Sequence, residues 1–155
     1  MEHEDDYIVM GTTSQELRRS IDSNRGQDYD AFTNWDIQWR VKSCATSIWS
    51  VSLDVGYRLP KWDPPANADQ VLVAQWQRYD TALHCHEYGH AEIGLACANR
   101  VYVALSALPG NSDCVALSKS ATAAFNQILS DCRTADVKYD TATNHGATMG
   151  ATFPP

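Results

Sequence analysis

Between Leu72 and Cys97 the apolar and half-apolar positions fall at Leu72, Trp76, Tyr79, Leu83, His86, His90, Ile93 and Cys97. That alternation of four and three is one continuous face of an amphipathic helix. The pattern predicts a helix from about Asn67 or Asp69 to about Leu108, some forty residues and ~60 Å if unbroken. After the turn Pro109-Gly110-Asn111, Ser112 or Asp113 caps a second helix to about Tyr139, with Val115, Ala121, Phe125, Ile128 and Leu129 among its apolar positions. Upstream the period changes to two. Trp35, Ile37, Trp39 and Val41 alternate with polar residues, and so do Trp49, Val51, Leu53, Val55 and Tyr57, which reads as a β-hairpin. Tyr7-Ile8-Val9-Met10 is a short strand, and Thr12-Thr13-Ser14 starts a helix running to about Ile21. Leu59 to Pro65 reads as a stiff linker without regular structure, and Thr141 to Pro155 as an irregular tail. The fold class is α+β: a small antiparallel sheet packed on a long helix that forms an antiparallel hairpin with its successor.

Two histidines lie on the core-facing stripe of the long helix, and they change the picture. His86-Glu87-Tyr88-Gly89-His90 has the form H-E-x-x-H. Residues four apart project from one helix face, so His86 and His90 can offer two imidazole nitrogens to one ion. Glu87, one step round the helix, stands beside that ion, where it can take a proton from a coordinated water. A single histidine on an apolar face is ordinarily a core residue with a satisfied hydrogen bond; the pair with its glutamate reverses those odds. Gly89 costs ~1 kcal/mol against alanine inside a helix, which marks a close approach by another segment.

Zinc in hydrolases takes three protein ligands and leaves a fourth position open. A third histidine six residues after the second is absent, because Ala96 occupies that position. Counted outward from a turn near residue 110, the level of the two histidines is met on the return helix near residues 130 to 136. That places Asp131, Asp136, Asp140 and His145 within reach. His145 is the expected third ligand, since imidazole suits zinc and Gly146 lets the backbone turn close to it. Asp136 and Asp140 are the alternatives.

The whole chain sets further bounds. At 155 residues it reads as a single domain, 1–155, burying roughly 70% of its unfolded surface. A net charge of -7 without a lysine or arginine cluster argues against a nucleic-acid or anionic membrane partner. No apolar run approaches the ~20 residues of a bilayer span. Five cysteines without a C-x-x-C pair favour an oxidising compartment. The acidic start Met1 to Asp6 is no signal peptide, so the sequence reads as a mature or trimmed form of a secreted or periplasmic protein. Cys85 lies 25 residues before the turn and Cys132 22 after it, nearly level, which favours a Cys85–Cys132 bridge. By the same count Cys97–Cys132 is mismatched by ~13 Å along the axis. Cys44–Cys114 follows by elimination, and Cys97 is expected as a buried free thiol.

Trp35-Asp36-Ile37-Gln38-Trp39, Leu59-Pro60-Lys61-Trp62, the histidine motif, and Tyr139-Asp140-Thr141-Ala142-Thr143-Asn144-His145-Gly146 come in an order that resembles the DUF922 family. Its members are described as predicted secreted zinc-dependent proteases of bacteria. The resemblance covers nearly the whole chain and implies export, a Zn2+ site and peptidase chemistry, without giving a substrate; with the H-E-x-x-H helix it leads to an expected minimal zincin-like domain acting on a peptide or protein substrate. The leading expectation is therefore a zinc metalloendopeptidase with Glu87 as general base. The competing expectation is a disulfide-stapled extracellular binding module whose metal is structural or vestigial. A third, weaker one is hydrolysis of a non-peptide amide such as a cell-wall crosslink.

Overall fold

The computed structural model describes residues 1–154. β1 (Glu2–Glu4) and β2 (Tyr7–Val9) lead into α1 (Ser14–Asn24), followed by β3 (Phe32–Ser43), β4 (Ile48–Arg58) and β5 (Pro60–Trp62). The long helices α2 (Gln70–Ser106) and α3 (Cys114–Thr143) come next, and a single 3-10 turn spans Ala147–Met149. Asp69 caps α2 by accepting from the Val71 amide, and Asp113 caps α3 by accepting from the Val115 and Ala116 amides. The class is α+β as expected.

The hairpin β3–β4 is antiparallel, with Trp35 opposite Val55 and Ile37 opposite Leu53. The sheet as a whole is mixed, not purely antiparallel, because β1 adds to β4 in parallel and gives the order β1-β4-β3. Glu2 to Glu4 show no hydrophobic alternation; they are recruited by their backbone to the open edge of β4. The expected linker Leu59–Pro65 is also corrected in part. Pro60–Trp62 forms a strand paired in parallel with β2, a two-stranded ribbon in which a proline opening the strand loses no ladder bond. The second helix runs to Thr143, about one turn beyond the expected Tyr139, before Asn144 closes it in the left-handed conformation.

The core divides in two along α2. One cluster gathers Leu17, Ile21, Leu72, Trp76, Tyr79, Leu83 and Phe153; the other gathers Ile37, Trp49, Cys97, Val101, Leu105 and Ala121. Trp35 and Leu53 pack against both. The histidine motif falls at the seam between them. Gly94, in that seam, lets Trp35 lie flat on α2, since a Cβ there would come within 2.9 Å of the indole.

Asp30 ties the segment before β3 to the rest. Its carboxylate accepts two hydrogen bonds from Arg18, at 2.7 and 2.6 Å, one from Arg25 and one from the Tyr79 hydroxyl, while its carbonyl accepts from Tyr7. Burial works against the charged carboxylate. The bonds from Arg18 and Tyr79, with the charges of Arg18 and Arg25, outweigh it and hold Asp30 below the usual carboxylate range.

The cysteines correct the expected hairpin register. The bridges are Cys44–Cys114 and Cys97–Cys132, and Cys85 is free and exposed. Cys85–Cys132 and a free Cys97 are thus both wrong. The cause is the connection between the helices. The Asn111 amide donates to the Cys44 carbonyl, and Gly110 lies against the Ala45 carbonyl, so the chain is drawn out to the β3–β4 turn before α3 begins. α3 starts beyond the end of α2, and every level moves along it. The level of His86 and His90 is met at Asp140 and Asp136, at the end of the expected stretch 130–136 and one turn past it.

Two outcomes check this arrangement. Peptide mapping without reduction should yield Cys44–Cys114 and Cys97–Cys132 crosslinks, with Cys85 alkylated in the folded protein. Asp30→Asn should lower stability by roughly 3 kcal/mol at neutral pH, as when one partner of a buried ion pair is removed. Because the folded pKa of Asp30 lies below the unfolded one, its contribution is present above about pH 4 and lost as pH falls through the folded value. Thermal melts should therefore show the gap between wild type and Asp30→Asn narrowing in acid.

Candidate metal centre

Helical geometry brings His86 and His90 to one face of α2, both buried, with Nε2 atoms 3.4 Å apart. α3 supplies the facing groups. Asp140 Oδ1 lies 3.2 Å from His86 Nε2 and 3.1 Å from His90 Nε2. Asp136 Oδ1 lies 2.8 Å from His90 Nδ1, and Thr143 Oγ1 lies 3.4 Å from His86 Nδ1. Trp35 Nε1 also donates to Asp136, at 3.5 Å.

These contacts assign the imidazole protons. Asp136 is an acceptor, so His90 Nδ1 carries hydrogen. Thr143 Oγ1 donates its own hydrogen to the Tyr139 carbonyl at 2.8 Å, so it accepts from His86 Nδ1. In the neutral rings both Nε2 atoms then present lone pairs, and they face a carboxylate oxygen and each other within 3.4 Å. Such an arrangement is repulsive without a cation between the donors. A proton on one ring relieves only part of it. Burial holds His86 below the ordinary imidazole pKa, with His90 adding to the effect. Burial also opposes charge on His90, but the hydrogen bond and charge of Asp136 outweigh it and raise that pKa. His86, His90 and Asp140 form a compact group that could hold a metal ion, their donor atoms all within 4.8 Å of one another. Two imidazoles and one carboxylate suit a borderline divalent ion.

Tyr139 braces this group. Its ring stacks on His86 with centroids 5.2 Å apart and meets His90 edge-on at 5.0 Å. Gly89 is what admits it, because a Cβ at that position would collide with the Tyr139 hydroxyl. Gly146, at φ +80°, brings the tail to within 3.0 Å of the His86 ring by the same test.

Glu87 is buried beside the donors without being one of them. Its Oε2 accepts from the Thr33 hydroxyl at 2.7 Å. Burial pushes its pKa up, with the Thr33 bond pulling the other way. A cavity of about 250 Å³ opens here, lined by Tyr29, Phe32, Thr33, His86, Glu87, Asp140 and neighbouring residues.

Sequence reasoning placed His86, His90 and Glu87 together, and the structure brings them together. His145 reaches the same neighbourhood, with Nδ1 3.3 Å from Asp140 Oδ1 and its ring stacked on Tyr29 at 4.1 Å. It is partly exposed and stands outside the compact group, whose third member is Asp140. Asp131 is turned away, paired with Arg100. Thr33, Tyr139 and Thr143 were not anticipated. The period-two pattern held a signal for Thr33: it shares a sheet face with Trp35 and Ile37, a polar residue where the strand faces inward.

The molecule is thus an α+β protein with a candidate two-histidine, one-carboxylate metal centre beside a buried glutamate. The family model described as a bacterial protein of unknown function, DUF922, matches residues 4–146, and the chain belongs to that family. No curated protein and no solved structure matches it.

Removing one oxygen donor separates the two candidates for third ligand. In titrations with Zn2+ or Co2+, Asp140→Ala should lose at least tenfold more affinity than His145→Ala. The reverse order would make His145 the ligand.

Proposed function

We propose that the protein is a secreted zinc-dependent peptidase, in which His86, His90 and Asp140 hold the ion and Glu87 is the general base. The observation that carries this reading is the placement of Glu87. A carboxylate buried at 3% exposure stands next to the metal group and on a cavity wall, and its burial pushes the pKa up, the direction a general base needs. The donor set fits zinc: His86, His90 and Asp140 would hold the ion, which would supply Lewis acidity for activating water and polarising a carbonyl. Glu87 accepts the proton released from the attacking water and returns it to the departing amine. Asp136 and Thr143 keep the two imidazoles in the tautomers that leave both Nε2 lone pairs free for an ion.

The cavity beside the donors supports a catalytic reading over a closed structural site, which would use every coordination position for protein. β3 ends the sheet on the side of the site and carries Thr33, so a peptide could lie along it by backbone pairing. Two disulfides support export to an oxidising compartment. No described helix is long and apolar enough to cross a membrane.

Glu87→Gln should retain about one zinc per chain and lose hydrolysis of a casein or peptide substrate by a hundredfold or more. His86→Ala and His90→Ala should lose the metal itself. Activity of Glu87→Gln equal to wild type would remove the catalytic assignment. A wild-type protein that binds zinc and cleaves nothing would favour the binding-module reading.

A further inference from the structure

Glu87 raises a question of its own. A buried carboxylate is ordinarily held by a cation or by several backbone amides. Among the described residues, neither lysine nor arginine pairs with it, and the one donor to its carboxylate is the Thr33 hydroxyl at 2.7 Å. The same Oγ1 lies 3.1 Å from the Glu87 carbonyl, so the threonine touches both the side chain and the main chain of one residue. A hydroxyl has a single hydrogen, and the shorter contact to a charged acceptor takes it. Oε1 is left without a protein donor among the described residues.

The position of Thr33 is itself over-determined. The β3–β4 register sets it opposite Tyr57, and the alternation that buries Ile37 turns it toward α2. Two residues on, Trp35 fills the notch at Gly94 and reaches Asp136. Just upstream, Asp30 is clamped by Arg18, Arg25 and Tyr79. A rigid strand start therefore carries one hydroxyl to one carboxylate oxygen.

We infer that Thr33 is the positioning residue for Glu87, fixing the carboxylate rotamer through Oε2 so that Oε1 faces the cavity. This rests on the assignment of Glu87 as base. A neutral donor suits that task better than a cation would. It orients the carboxylate through one short bond without setting a second cation beside the two histidines.

The test uses Thr33→Val, which keeps the shape and removes the donor, and Thr33→Ser, which keeps the donor. Crystal structures of the metal-free proteins should show one Glu87 rotamer in wild type and Thr33→Ser. Thr33→Val should show a displaced or divided carboxylate. In the zinc-loaded proteins, Thr33→Val should lower kcat by about 10- to 100-fold with KM within about twofold and zinc stoichiometry unchanged. Thr33→Ser should stay within about threefold of wild type. A Glu87 carboxylate unmoved in Thr33→Val, or a Thr33→Ser variant as slow as Thr33→Val, would overturn the inference. If instead the Glu87 rotamer divides while kcat is unchanged, the general-base reading of Glu87 falls, and with it the positioning role.

Discussion

Two lone-pair nitrogens and a carboxylate oxygen converge within 3.4 Å in a buried place, and most of the architecture can be traced to that crowding. The two imidazoles have given up water, the Asp140 carboxylate keeps part of its own, and each group repels the others unless a cation lies among them. The outer contacts serve to keep the crowd in this orientation. Asp136 accepts a hydrogen bond from one imidazole, Thr143 from the other, and Tyr139 packs against both rings. Those three residues and Asp140 lie on two turns of one helix, so the pose of α3 governs the whole centre.

That pose is fixed covalently at two levels. Cys44–Cys114 ties the first residue of α3 to the β3–β4 turn, and Cys97–Cys132 ties its middle to α2. Cys97 is seven residues from His90 and Cys132 four from Asp136, about two turns and one turn away. A slip of α3 by one residue would rotate its side chains by about 100° and carry Asp136 and Asp140 off the histidines. The bridges forbid that slip. Their place in the fold is thus as much about register as about stability.

The elements and the motif were legible in the sequence because both are local. A face repeating every 3.6 residues, caps at Asp69 and Asp113, and the alternation from Trp35 to Val41 depend only on neighbours along the chain. The level at which α3 meets α2 is not local. It depends on a seven-residue connection leaving the helix axis to bond Cys44. A count assuming a tight turn put Cys132 beside Cys85 and the level of the two histidines several residues too early on α3. The strands β1 and β5 were missed for a related reason: both pair through backbone edges offered by residues far away, with no pattern of their own. Thr33 belongs to the same class, since its partner lies 54 residues on.

The places of Asp140 and His145 show how a helix end decides which side chain faces the two histidines. Had α3 stopped near Tyr139, Asp140 would sit in a loop and His145 would be free to swing toward the histidines. The extra turn to Thr143 places Asp140 on the helix face opposite α2 and puts Thr143 under His86. Three successive left-handed residues, Asn144, His145 and Gly146, then reverse the chain and bring Gly146 against the His86 ring. Asparagine and glycine accept that conformation readily, and histidine does so more often than most residues. His145 is consequently turned to the outer side of Asp140, where it stacks on Tyr29 at the cavity wall. The particular tail that draws attention to His145 in the sequence is thereby the signature of the turn that seats Asp140.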